Sequence, residues 1–129
     1  MNRYPQMIER FVKIARANFG TVVRIDELCH LAGAHPRTIA RAFKMVHDTT
    51  PTQYLRDLRL MEIRRVLLSD SNRASITQVA TSFGFRELGK FSALYKRKFG
   101  EAPSVTKDLS ISRREPRETT HGAGPGGFR

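Results

Sequence analysis

The chain has 129 residues and a formal net charge of +11, with 23 lysine and arginine residues against 12 aspartate and glutamate residues. This length suits one domain or two very small ones, and the cationic excess indicates a polyanionic partner, either nucleic acid or an anionic membrane surface. No run of about eighteen apolar residues that would span a membrane is present, and the start of the chain lacks the apolar core of a signal peptide. The single cysteine excludes an internal disulfide, so the chain is predicted to be cytosolic.

The first part of the chain carries the signals of three helices. Pro5 is placed to open the first helix, and a second is predicted from about Ile25 to Ala32. Gly33 then turns the chain, and a third helix is predicted from Pro36 to about Val46. The residues that recur at helical spacing, and are therefore predicted to face inward, are Met7, Ile8, Phe11, Val12, Ala15, Phe19, Ile39, Ala42, Phe43 and Val46.

A long helix is predicted from Pro51 to about Leu68. Thr50 at the cap, Pro51 at the first helical position and Gln53 at the third form its start. At ~1.5 Å per residue the helix is roughly 27 Å long, which suits a strut between the parts of the chain that flank it. The residues predicted along its apolar side are Tyr54, Leu55, Leu58, Met61, Val66 and Leu67.

A capping signal and a glycine turn predict two further helices. Ser75 and Gln78 have the spacing of a capping box, and Gly84 is the residue expected where a helix ends in a left-handed conformation. A second periodic run begins at Leu88, and two short helices with a tight turn and a basic outer face describe a helix-turn-helix unit. The predicted inward residues are Ile76, Val79, Ala80, Phe83, Leu88, Phe91, Leu94, Tyr95 and Phe99, and the outward ones are Lys90, Lys96, Arg97 and Lys98.

The same frame of apolar residues, glycine and proline occurs in both halves of the chain. At a spacing of 51 residues the pairs are Ile25 and Ile76, Leu28 and Val79, Cys29 and Ala80, and Gly33 and Gly84. At a spacing of 52 residues they are Ile39 and Phe91, Phe43 and Tyr95, Lys44 and Lys96, and Pro51 and Pro103. This repeat indicates the internal duplication of a structural unit. The simpler alternative, a helical hairpin whose charges only keep it in solution, accounts for one such unit better than for two.

The second unit resembles the signature of the AraC/XylS family of bacterial transcription regulators. The matching positions, in the order of the family signature, are Ala80, Gly84-Phe85, Phe91, Tyr95, Lys96-Arg97, Phe99-Gly100 and Pro103. The resemblance covers roughly Pro5 to Lys107. It implies an all-α, homeodomain-like fold of about seven helices, in which a long linker helix joins two helix-turn-helix subdomains.

The predicted organisation has four segments. Residues 1–50 form the N-terminal helix-turn-helix subdomain, 51–68 the linker helix and 69–109 the C-terminal helix-turn-helix subdomain. Residues 110–129 are predicted to be a disordered basic tail, because they are poor in apolar residues and rich in glycine, proline and arginine.

Helical periodicity and the resemblance together indicate which side chains meet DNA. A recognition helix presents its first turns to base edges in the major groove, while flanking cations hold phosphates. The residues predicted to face the bases are Arg37, Thr38, Ala40 and Arg41 in the first unit and Leu88, Gly89, Lys90 and Ala93 in the second. The residues predicted to contact phosphates are Lys44, Arg86, Lys96 and Arg97. For Arg37 and Arg41 the alternative is a solvated face that makes phosphate contacts only.

Four positions depart from the family pattern. Gly89 stands where serine is common, Ala93 stands where a long polar or basic side chain is common, and Val105-Thr106 replaces an aromatic-arginine pair. These departures keep a second function open, in which the chain is a helical protein-interaction module that retains the fold and binds DNA only non-specifically.

Catalysis and metal binding are not predicted. Cys29 and His30 are neighbours on a helix and do not face one another, so they form no nucleophile–base pair. The histidines have no second ligand at helical spacing and no paired cysteines accompany them. We therefore expect no enzymatic activity, no cofactor and no metal.

The resemblance implies a sequence-specific regulator of transcription that binds double-stranded DNA, more often as an activator that places RNA polymerase. Such a protein acts in the bacterial cytoplasm, at the nucleoid, and does not bind membranes. Two reading helices on one chain would occupy two successive major grooves as a monomer. Most relatives carry an effector-sensing domain ahead of this one, so the chain is either a fragment of a longer regulator or a stand-alone regulator.

Overall fold

The computed structural model describes residues 3–21, 24–69 and 71–114, with side chains described as far as Ser110. Within these ranges it contains seven helices and no strand. They are α1 (Tyr4–Ala17), α2 (Ile25–Ala32), α3 (Pro36–His47), α4 (Pro51–Leu68), α5 (Ile76–Ser82), α6 (Leu88–Phe99) and α7 (Pro103–Arg114). The predicted all-α class is confirmed.

The helices form two compact units. Unit 1 runs to Leu60 and also includes Ser82–Gly84, whereas unit 2 runs from Met61 to Thr81 and resumes at Phe85. Helix α4 therefore contributes residues to both units. The division into segments 1–50, 51–68 and 69–109 stays a proposal about domain organisation.

The core of unit 1 holds α3 from one side. Phe11 of α1 and Phe43 of α3 are fully buried, and their ring centroids lie 5.6 Å apart in an edge-to-face arrangement. Burying a phenylalanine side chain contributes ~1.5–3 kcal/mol, so this pair is a main support of the helix. The other buried residues of this core are Ile8, Ala15, Phe19, Leu28, Cys29, Ala32, Ile39, Ala42 and Leu55. With its apolar side held in this way, α3 turns its other side to solvent.

Local hydrogen bonds define the helix ends in unit 1. The backbone N–H of Arg24 donates to the Glu27 carboxylate at 3.1 Å, which is one half of a capping box at the start of α2. Gly33 ends α2 in the left-handed region, with φ at 72°. At the start of α3, the Nδ1 atom of His35 accepts from the backbone N–H of Arg37 at 3.1 Å. The left-handed Gly33 and the hydrogen bond at His35 therefore place the start of α3 only a few residues after the end of α2.

A second glycine of unit 1 is under closer constraint. Gly84 has φ at +91°, and a Cβ atom there would lie 3.0 Å from the carbonyl oxygen of Phe19. Gly33 also has a positive φ, but a Cβ atom there would meet nothing within 4 Å. We therefore expect Gly84→Ala to lower the free energy of unfolding by about 1 kcal/mol more than Gly33→Ala, because only Gly84→Ala adds a clash with the backbone. Urea unfolding of both variants measures the difference, and equal losses would show that Phe19 does not restrict the position.

Unit 2 is built in a similar way around aromatic residues of α6. Phe91 and Tyr95 are fully buried, and their ring centroids are 5.7 Å apart. The capping box predicted at α5 is present, because the backbone N–H of Ser75 donates to the Gln78 side chain at 2.8 Å and that of Gln78 donates to the Ser75 hydroxyl at 3.1 Å. Gly100 ends α6 with φ at 77°. This core leaves the opposite side of α6 free for solvent.

A polar network ties three helices of unit 2 together. The hydroxyl of Tyr95 donates to the buried Thr106 hydroxyl at 2.8 Å, and Thr106 in turn donates to the Glu101 carboxylate. The Arg64 guanidinium of α4 also donates to Glu101, at 3.1 Å. The hydrogen bonds from Thr106 and then from Arg64 lower the pKa of Glu101. Thr106, one of the positions that depart from the family pattern, is therefore a structural residue here.

Three side chains predicted to face inward are exposed, and they are Met61, Val46 and Leu88. Met61 is 54% exposed and Val46 is 38% exposed. The prediction for α4 assumed a single apolar stripe, whereas Leu60 and Ile63 are the residues buried near its centre. The reason is that α4 belongs to unit 1 in its first half and to unit 2 in its second, so it buries more than one side. Val46 lies in the last turn of α3, next to the end of the helix.

Helix α7 extends beyond residue 109, the predicted end of the C-terminal subdomain. Helix α7 continues to Arg114, so residues 110–114 are helical and not part of a disordered tail. The helix is held there by Ser110, which is buried and whose hydroxyl donates to the carbonyl oxygen of Ser69 at 3.3 Å. The rest of the predicted tail, residues 115–129, lies outside the described residues.

Candidate DNA-binding surface

The first candidate surface is the solvent-facing side of α3 in unit 1. Arg37, Ala40 and Arg41 are exposed there, on the side opposite the buried Ile39 and Phe43. Thr38, which was also predicted to face the bases, is half-buried. The structure therefore brings together two guanidinium groups and a small residue in the first half of the helix. This combination leaves room for a base edge and offers forked donors to it.

Lys44, predicted to contact phosphate, is already paired within unit 1. Its ammonium group donates to the Asp48 carboxylate at 2.6 Å, and both side chains are exposed. The hydrogen bond from Lys44 and the positive charge of its ammonium group lower the pKa of Asp48. The Asp48 carboxylate is therefore ionised at the near-neutral pH at which proteins bind DNA. A phosphate at Lys44 would compete with Asp48 for the ammonium group.

The second candidate surface is the solvent-facing side of α6 in unit 2. Leu88 is 45% exposed at the first turn of α6, so its predicted burial is wrong, although helical spacing places it on the same side as the buried Phe91. The remaining candidates of this unit are exposed as well, and they are Arg86, Gly89, Lys90, Ala93, Lys96 and Arg97. The buried Phe91 and Tyr95 lie on the other side of the helix. The first turns of α6 thus present one cation, and the last turn presents a cluster of them.

Two features of the first turn of α6 weaken it as a reading element. The Lys90 ammonium group lies 3.6 Å from the carboxylate of Glu87, the residue at the helix cap. A Cβ atom on Gly89 would meet nothing within 4 Å, so no neighbouring atom requires glycine there. Glycine within a helix costs ~1 kcal/mol relative to alanine. The first turn of α6 is therefore less rigid and less positive than that of α3.

The two carboxylates that neutralise candidate cations were missed in the sequence. Asp48 follows Lys44 by four residues and Glu87 precedes Lys90 by three, spacings at which side chains on a helix meet. The signal was therefore present in the sequence. What the structure adds is that both carboxylates lie beside candidate DNA contacts.

The other reactive groups in the described residues do not form a metal-binding cluster. Cys29 is fully buried, and desolvation together with Asp26 raises the pKa of its thiol. Within residues 3–21, 24–69 and 71–114 no three His, Cys, Asp or Glu side chains come together in a metal-binding arrangement. Over the same ranges no helix combines the length and apolar composition that would let it cross a lipid bilayer.

Known proteins match both the sequence and the fold of this chain. A family model described as a helix-turn-helix domain matches residues 28–108. A solved structure from Chromobacterium violaceum, a transcriptional regulator with an AraC-type DNA-binding domain, superposes with a TM-score of 0.75 and 27% identity, over 89% of this chain and 99% of that one. The chain belongs to the AraC family of transcription regulators.

Among curated relatives of this AraC-family chain are two activators of the XylDLEGF operon from Pseudomonas putida. One is 37% identical over 99 residues, which are 76% of this chain and 31% of that protein. The other, activator 2, is 36% identical over 102 residues, which are 78% of this chain and 65% of that protein. The chain thus spans about a third to two thirds of the length of these relatives.

Proposed function

We propose that this AraC-family chain is a sequence-specific DNA-binding regulator of transcription that reads major grooves with α3 and α6. The observation that carries the proposal is the solvent-facing side of α3, where Arg37 and Arg41 are exposed while Phe43 packs in the core on the opposite side. A helix with one side locked in a core and guanidinium groups on the other is suited to enter a major groove. The family to which the chain belongs supports the same role.

The candidate residues divide into two kinds of contact. In unit 1, each arginine is able to donate two hydrogen bonds to the O6 and N7 atoms of a guanine, a contact worth ~1–3 kcal/mol of discrimination. In unit 2, Leu88, Gly89 and Ala93 have no side-chain donor, so base reading there is limited to Lys90 and to apolar contacts. The cations proposed to hold phosphates are Lys44, Arg86, Lys96 and Arg97. Unit 1 therefore supplies most of the sequence preference, and unit 2 mainly supplies affinity.

We also propose that the chain activates transcription in the bacterial cytoplasm, at the nucleoid, and that it acts by placing RNA polymerase. The two Pseudomonas putida relatives are transcriptional activators, which supports this direction of regulation. One chain carries both proposed reading helices, so a single copy would bind a site without two-fold symmetry. These statements rest on relatives of whose length this chain spans about a third to two thirds.

Selection of bound sequences from a pool of random duplexes tests the proposal. We expect one preferred sequence to be enriched, with the information concentrated in one half, because unit 1 carries both arginine candidates. The alternative function, a protein-interaction module with non-specific DNA binding, predicts retention of duplexes without enrichment of any sequence. An unenriched pool would therefore remove the proposed function and leave that alternative.

A further inference from the structure

The outer side of α1 has no role in the proposed contact with DNA. Helix α1 packs against the buried side of α3, as the edge-to-face contact between Phe11 and Phe43 shows. Arg37 and Arg41 extend from the opposite side of α3. A duplex bound by α3 therefore lies on the far side of unit 1 from the solvent-facing residues of α1. Charged residues on that side of α1 are therefore not needed for the proposed contact with DNA.

That side of α1 is cationic. Arg3, Arg10 and Lys13 are exposed, and at helical spacing all three fall on one stripe. Among the residues that the structure describes, none of the three has an ion-pair partner. Glu9 is the one carboxylate within α1. From Arg3 to Lys13 the stripe is roughly 15 Å long at ~1.5 Å per residue.

A groove of about 580 Å³ lies in unit 1 beside the first part of this stripe. Arg3 and Arg10 stand at its edge, and the remaining lining residues are Gln6, Met7, Ala32, Gly33 and Ala34. The groove thus combines an apolar surface, formed by α1 and the turn after α2, with two exposed guanidinium groups. Among the residues that the structure describes, no carboxylate lines it.

We propose that this groove and the stripe from Arg3 to Lys13 are a docking surface for an acidic segment of a partner protein. An apolar side chain of the segment would lie on Met7 and Ala32, and its carboxylates would accept hydrogen bonds from Arg3 and Arg10. Paired arginine and carboxylate groups form forked, charge-assisted hydrogen bonds. Exposed ion pairs are individually weak and screened by salt, so the contact is a transient one.

Two observations favour a protein segment over other anions. The stripe is longer than a small organic acid, so a ligand that uses all three cations must carry several carboxylates along its length. A single strand of nucleic acid is held largely by bases that stack on aromatic side chains, and none of the described residues that line the groove is aromatic. An acidic peptide with interspersed apolar residues fits both the charge and the apolar surface.

The test is a titration of the full chain with a short synthetic peptide in which glutamate alternates with leucine, followed by backbone amide NMR. We expect the amide signals of Met7, Arg10 and Gly33 to shift, while those of Arg37 and Arg41 stay in place. The same peptide with glutamine in place of glutamate should not bind. Arg10→Gln should weaken binding about threefold, and Arg3→Gln with Arg10→Gln about tenfold. Arg65→Gln, which removes a cation that is 73% exposed in unit 2, should change nothing.

Binding of duplex DNA by the variants separates this surface from the reading helices. Arg3→Gln with Arg10→Gln should leave the preference for the selected duplex unchanged, whereas Arg41→Ala should lose that preference and still bind the peptide. The proposal is overturned if the peptide does not bind, if its signals move at α3 instead of α1, or if the arginine variants bind it as tightly as the parent chain. Tighter binding of a single-stranded oligonucleotide at the same amides would overturn it as well, because the surface would then be one for nucleic acid.

Discussion

Arg41→Ala is expected to lose ~1–3 kcal/mol of binding free energy on the preferred duplex and much less on random duplexes. Arg41 is exposed on α3, directly across the helix from its buried residues, and no acidic side chain pairs with it in the part of the chain that the structure describes. Its guanidinium group is therefore available for the O6 and N7 atoms of guanine. Equilibrium titration of the parent and the variant on both duplexes measures the change.

Lys90→Ala is the control, since it removes the one cation among the residues of α6 that are proposed to face the bases. The Lys90 ammonium group is a point charge on a flexible stem and lies 3.6 Å from Glu87. We expect this substitution to weaken binding to the preferred and random duplexes almost equally. If Lys90→Ala removes the preference and Arg41→Ala leaves it intact, the reading has been assigned to the wrong unit.

The affinity for DNA is expected to fall about a thousandfold as the salt concentration rises from about 50 to about 200 mM. If about six cations engage phosphates, the logarithm of the affinity falls against the logarithm of the salt concentration with a slope near −5. The net charge of +11 and the exposed cations of α3 and α6 are the reason. Titrations at several salt concentrations give the slope.

A lysine at a proposed phosphate contact provides the internal control for this slope. Lys44→Gln should reduce its magnitude by about one, because one released counterion is lost. Asp48→Asn should act in the opposite direction, since it frees the Lys44 ammonium group from its carboxylate partner. An affinity for duplex DNA that does not change with salt would contradict the phosphate contacts altogether.

The helices and their ends were predictable because the signals are local. The capping residues at Ser75 and Thr50 and the glycines at 33 and 84 act on neighbouring backbone groups, and the structure has them in those roles. The base-facing and phosphate-facing assignments follow from helical periodicity and the family resemblance, and they stay predictions. All of these residues are exposed except Thr38, which is half-buried, and Leu88 is exposed although its helical spacing also predicted an inward side chain.

What could not be predicted depends on residues far apart in the chain. The hydrogen-bond network around Thr106 includes Arg64, which is 42 residues away in the sequence. Helical spacing relates only residues a few positions apart, so it does not predict this contact. The burial of Leu60 and Ile63 in place of Met61 arises because α4 serves two units, which a single stripe does not describe. The groove beside Arg3 and Arg10 likewise exists only because α1 lies against the turn after α2.

The most direct test of the central claim is a footprint of the selected duplex, combined with sedimentation of the complex to count the chains bound. With one proposed reading helix for each of two major grooves, about one turn or ~34 Å apart, we expect a single copy to protect a non-palindromic site of roughly twenty base pairs. An obligate dimer of the chain on an inverted repeat would contradict the account, and so would protection of a single groove by one copy.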